Sequence, residues 1–76
     1  MARVISVRPH GSDWIVADLI GGVAEVFPTG AQAEAAGRQR LDARARAGEP
    51  SELRIYLRDG SLAGRFVSGV SALEPA

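Results

Sequence analysis

LRIYLRDGSLAGRF, residues 53–66, carries the clearest structural signal in the chain. Its residues alternate around Asp59-Gly60, a pair that predicts a two-residue type I′ hairpin turn, where both turn positions need positive φ. With that loop Arg58 faces Ser61, Leu57 faces Leu62, Ile55 faces Gly64 and Leu53 faces Phe66, a coherent inner face. On the outer face Tyr56 meets Ala63, and Arg54 meets Arg65. Two guanidinium groups directly opposite each other repel. The hairpin therefore raises the question of what its arginines face.

A second hairpin is predicted near the start of the chain. RVISVR, residues 3–8, puts Ile5 and Val7 on one face, and WIVADL, residues 14–19, does the same for Trp14 and Val16. The intervening PHGSD holds the Pro and Gly of a reverse turn. A Pro9–Ser12 loop sets Val7 opposite Trp14 and Ile5 opposite Val16, with Arg8 against Asp13 and Arg3 against Asp18. Apolar pairs and opposite charges across the strands fit that register. Gly21-Gly22 breaks the pattern, and VAEVF reads as a short extension or an extended loop.

Between the hairpins the chemistry turns helical. Thr29-Gly30-Ala31-Gln32 matches a capping box, and alanine, arginine, glutamine and leucine favour helix up to Ala47. Gly48 suits a left-handed C-cap, and Pro50 bars continuation. Ala33, Gly37, Leu41 and Ala45 form the buried stripe, in which only Leu41 is large. Gly37 costs about 1 kcal/mol of helix propensity relative to alanine, which close approach of the helix to the sheet would offset. Arg38 and Asp42 are expected to pair at i, i+4.

The order is β-β-α-β-β: an α+β domain with a four-stranded, mainly antiparallel sheet and one helix packed on one face. A helix of 18 residues is ~27 Å long and spans such a sheet. Residues 1–70 form the domain, 71–76 a C-terminal tail, and the strand order is left open.

Seventy-six residues suffice for one domain, and a chain this short buries only about 60% of its unfolded surface. With no cysteine, neither a disulfide nor a thiolate metal site staples it, which leaves self-association as the common remedy. No apolar run approaches the ~20 residues that span a bilayer, and the alternating N-terminus with Arg3 and Arg8 does not suit a signal-peptide core. A cytoplasmic location is the expectation. Nine arginines balance nine acids; only 30–47 has a mild basic excess, far from the bias of a committed nucleic-acid binder.

Several short motifs resemble a family of short bacterial proteins, Domain of Unknown Function 2188. They are Val7-Arg8-Pro9 at the end of a first strand, Trp14-Ile15-Val16 in the second, the helix start Thr29-Gly30-Ala31-Gln32-Ala33, and the Asp59-Gly60 turn. The likeness covers roughly residues 3–68. Gly30 stands where the family often has Lys, and Gln32 where it often has Glu. The resemblance implies the fold, and brings no activity and no catalytic residues.

Catalysis finds little footing. His10, Ser12 and Asp13 are crowded into one turn, where Ser and Asp commonly bond local backbone, whereas a triad needs a pocket and an oxyanion hole. One His and no Cys leave no metal-ligand spacing, and Gly21-Gly22 is no phosphate loop. No enzyme activity, cofactor, metal or small-molecule substrate is expected. Trp14, Phe27 and Phe66 read as core, and the helix arginines 38, 40, 44 and 46 as a solvated face.

The helix-free sheet face holds the candidates: Arg54, Tyr56, Arg58, Arg65 and Val67 from the second hairpin, with Ile15 and Leu19, beside Val4, Ser6 and Ala17, from the first. An apolar patch of this kind favours burial against a second copy or another protein, with Arg54 or Arg65 meeting a partner's acid such as Asp18. The expectation is a homodimer or partner-docking module with Ile15, Leu19 and Tyr56 at the interface. The alternative is weak, low-specificity nucleic-acid binding, with Tyr56 stacking a base and arginines taking phosphates.

Overall fold

The computed structural model describes residues 3–18, 22 and 24–67. Its elements are β1 (Arg3–His10), β2 (Asp13–Asp18), β3 (Ala24–Phe27), α1 (Gly30–Arg46), β4 (Ser51–Tyr56) and β5 (Leu62–Val67). The class is α+β, as expected, with one described helix packed on a sheet. The sheet has five strands rather than four, in the order β3-β2-β1-β4-β5. The additional strand is AEVF, which pairs antiparallel with β2 through Trp14↔Phe27 and Val16↔Glu25. The sheet is mixed: α1 carries the chain back, so β4 enters parallel to β1 with Arg3 beside Ser51 and Val7 beside Ile55. No described helix is long and apolar enough to cross a membrane.

The first hairpin closes differently from the expected register. Its loop is Gly11-Ser12, and Val7 pairs with Val16, Pro9 with Trp14 and His10 with Asp13. Gly11 has φ +62, the left-handed conformation that a primed hairpin turn requires at its first position. The shift is by two residues, so the faces survive while the partners change. Pro9 stays within β1 because the residues flanking a two-residue loop exchange hydrogen bonds and the next pair does not. Its missing N–H then faces the β4 side, past Val7, the last β1 residue paired there. The expected Arg8–Asp13 and Arg3–Asp18 pairs do not form: Arg8 is opposite Ile15, and Asp18 is opposite Ile5.

The second hairpin keeps its expected register at Leu53↔Phe66, Arg54↔Arg65 and Ile55↔Gly64, then shifts so that Tyr56 meets Leu62. The loop is Arg58-Asp59-Gly60, closed by Leu57 N–H to Ser61 O at 2.8 Å and Gly60 N–H to Leu57 O at 2.9 Å. Gly60 has φ +89, the arrangement of a three-residue loop ending in a left-handed residue. Asp59 Oδ1 accepts from the Ser61 amide at 2.9 Å and its hydroxyl at 2.6 Å, favouring this loop over the two-residue one. Tyr56↔Ala63, Leu57↔Leu62 and Arg58↔Ser61 are replaced accordingly.

The helix starts and stops where its chemistry says. Thr29 Oγ1 accepts from the Gln32 amide at 3.1 Å. At the other end the Gly48 amide donates to Ala45 O and the Glu49 amide to Arg44 O, the paired bonds of a Schellman motif, with Gly48 at φ +77. Ile5, Val7, Val16, Ala33 and Leu53 are fully buried, with Trp14, Phe27, Ala36, Leu41 and Ile55 packed around them. Gly37 is buried, and a Cβ there would lie 2.9 Å from both Leu53 Cδ1 and Val7 Cγ2. Close approach is the reason for this glycine. Phe66, expected in the core, pairs with Leu53 but stays 37% exposed, because α1 lies over β1, β2 and β4 and the edge strand β5 is beyond it. The Arg38 guanidinium covers the Phe66 ring at 4.3 Å instead.

Candidate functional site

Alternation along the strands decides which side chains reach the helix-free face. Leu53 is fully buried on the helix side, so Glu52, Arg54 and Tyr56 point the other way. By the same alternation and the observed registers, that face carries Val4, Ser6, Arg8 and His10 from β1, Asp13, Ile15 and Ala17 from β2, Ala24 and Val26 from β3, and Arg65 and Val67 from β5. Its apolar side chains gather on β3 and β2, with Val26 54% exposed, while β1 sets Val4 beside Ser6, Arg8 and His10. The β4-β5 half is polar. Of the candidate residues, Ile15, Arg54, Tyr56 and Val67 share this face with Arg65, and Leu19 lies outside the described residues. Arg58 belongs to the loop at the end of the sheet.

The opposed arginines meet a carboxylate of their own chain. Glu52 is only 7% exposed, and its Oε2 accepts from Arg54 Nε at 2.5 Å and Arg65 Nε at 2.6 Å, while Oε1 accepts from Arg65 at 3.3 Å. These bonds, Arg65's foremost and then Arg54's, hold the Glu52 carboxyl at a pKa of about 2. Asp18, suggested as a partner across an interface, is unsuited to that role. It is 3% exposed on the helix side, where Arg44 of α1 reaches it and also donates to Glu49 Oε1 at 3.1 Å. An E-x-R spacing in a strand places both groups on one face, so Glu52 could have been found from the sequence.

Helix arginines are engaged in the same way. Arg38 pairs with Glu34 and Arg46 with Asp42, each at 3.0 Å, replacing the expected Arg38–Asp42 pair. Both observed pairs put the acid N-terminal to the base, the favoured orientation at i, i+4. Arg40 reaches Glu25 of β3 at 2.5 Å.

The two hairpin loops adjoin each other at one end of the sheet. Arg58 of the second donates to the Gly11 carbonyl of the first at 3.1 Å and lies 5.4 Å from the centre of the Trp14 ring. The Arg8 guanidinium covers the Tyr56 ring at 4.8 Å. A groove of about 270 Å³ lies between them, lined by Arg8, Pro9, Tyr56, Leu57, Arg58 and Gly60. His10 and Asp13 face each other where the first loop closes, with Ser12 inside it. No side-chain hydrogen bond links the three, and no group of three metal-ligating side chains occurs among the described residues.

No family model matches the chain, and searches of the curated proteins and of the solved structures likewise found no match.

Proposed function

We propose that this chain is a small binding module that associates with a second copy of itself through the helix-free face of its sheet. The observation that supports this is the apolar half of that face. Val4, Ile15, Ala17, Ala24 and Val26 lie on the face of β1, β2 and β3 that α1 does not cover. Two such faces stacked about 10 Å apart would bury these side chains as the two layers of a sandwich do. The adjoining polar half is compatible with burial because Glu52 already neutralises part of its charge. The same pairing counts against the single-strand platform. Arg54 and Arg65 are committed to a carboxylate, and the Tyr56 ring carries Arg8. The turn that holds His10, Ser12 and Asp13 favours binding over catalysis.

Solution mass by light scattering tests this, for wild type and Val26→Asp. Val26 is exposed on an edge strand beside Ile15, so the charge disturbs the face and leaves the core untouched. A wild-type dimer that becomes monomeric in the variant is expected. A wild-type monomer at several hundred micromolar, or a dimer indifferent to Val26→Asp, would sink the proposal.

A further inference from the structure

The arginines divide into two groups. Among the described residues Arg3, Arg38, Arg40, Arg44, Arg46, Arg54 and Arg65 each reach a carboxylate. Of the nine in the chain, this leaves Arg8 and Arg58, and these two line the same groove. In a chain of zero net charge that pairs its other guanidinium groups, the two remaining ones border a single groove.

Among the described residues that line the groove none is acidic. The acid adjacent to Arg58 in sequence, Asp59, is not among these lining residues, and its Oδ1 accepts from the Ser61 amide and hydroxyl. Each guanidinium is also held in place. Arg8 lies on the Tyr56 ring, and Arg58 is anchored by the Gly11 carbonyl and the Trp14 ring. Stacking of this kind restrains a guanidinium while leaving N–H donors at its edge for an oxyanion.

We propose that the Arg8–Tyr56–Arg58 groove is a binding site for the phosphate group of a small phosphate monoester. Two guanidinium charges match the charge of nearly −2 that a monoester carries at neutral pH. A space of about 270 Å³ lies just under the usual range of ligand pockets, ~300–1,000 Å³. It therefore suits a phosphate with a small substituent better than a long polymer. Apolar lining by Pro9 and Leu57 gives such a substituent a surface to rest on. The site is at the loop end of the sheet, where Arg8 and Tyr56 also belong to the helix-free face through which self-association is proposed.

Titration of phenyl phosphate into the full chain, followed by amide chemical shifts, tests this at constant ionic strength. Saturable shifts in the two hairpin loops are expected, with inorganic phosphate producing the same shifts more weakly. Arg58→Gln, in an exposed loop, and Arg8→Gln should each weaken binding by about tenfold or more, as loss of a charged hydrogen bond implies. Arg46→Gln, which alters an exposed helix arginine, serves as the control and should change nothing. Three results would overturn the proposal: no saturation by about 20 mM phenyl phosphate, beyond the millimolar range of weak specific sites; equal weakening in Arg46→Gln; or tighter binding of a short single-stranded oligonucleotide than of the monoester. Because Arg58 lies outside both the core and the ladder, its variant keeps the test valid if Arg8→Gln fails to fold.

Discussion

Glu52 shows how one residue settles a conflict between two others. Arg54 and Arg65 are forced opposite each other by a register that their inner neighbours, Leu53 and Phe66, require. The chain does not avoid this repulsion; it places a nearly buried carboxylate between the two guanidinium groups. The sign of the resulting pH dependence follows from the direction of the shift. Folding lowers the Glu52 pKa from 4.5 to about 2, so between these values the unfolded chain binds more protons. The stabilisation is complete above about pH 4.5 and is lost as pH falls toward 2. Glu52→Gln should accordingly lower the thermal midpoint at pH 7 by several degrees, with the gap to wild type closing between pH 4.5 and 2. Parallel acid titrations of the two midpoints measure this, and a gap independent of pH would show that the carboxylate charge is not what matters. The repulsion was legible from the 53–66 stretch alone. Its resolution was also within reach, since residues 52 and 54 share a face in any strand. Arg8 was less accessible, because its meeting with Tyr56 depends on the parallel β1–β4 pairing, which no local pattern encodes.

Among the elements, the helix was legible nearly to the residue and the hairpin loops were not. The helix carries its own punctuation: Thr29 caps one end and Gly48 the other, and both act within a single turn of chain. Hairpin loops are chosen by small differences. Asp-Gly serves a two-residue turn and, with Ser61 bonded to Asp59, a three-residue one. Gly11-Ser12 competes with Pro9–Ser12 at a cost of only two residues of register, which preserves both faces and so leaves the apolar alternation silent. β3 was harder still, since four exposed or half-buried residues at a sheet edge carry little pattern. The stripe of α1 is weak, and Gly37 is where helix and sheet meet. Alanine there gains about 1 kcal/mol of helix propensity. It also drives a methyl to 2.9 Å from Val7 and Leu53, both fully buried, and overpacking of that kind costs ~1–3 kcal/mol. Gly37→Ala should therefore lose about 1 kcal/mol net in urea unfolding. A variant as stable as wild type would mean that the helix lifts from the sheet at little cost.

At the scale of the whole molecule, the dimensions of the sheet limit how tightly it can self-associate. Five strands spaced ~4.8 Å apart are roughly 24 Å across, and six residues at ~3.3 Å are about 20 Å long. The projected face is then roughly 480 Å², against about 800 Å² per partner in a standard stable interface. The apolar half alone falls well short, so a stable pair must draw in the Arg54–Glu52–Arg65 half as well. Each such half keeps one unbalanced positive charge, and two of them brought together repel. A dimer built this way is expected to be weak, with a dissociation constant on the order of micromolar, and added salt should strengthen it by screening that repulsion. Nucleic-acid binding by the same arginines has the opposite dependence, since salt competes with phosphate contacts. Mass action supplies the measurement: the thermal midpoint should rise by several degrees between about 5 and 500 µM protein. The rise should persist at about 0.5 M salt, where the Debye length is only a few ångströms. A midpoint that ignores concentration would leave the apolar half exposed in solution and remove self-association as the role of this face.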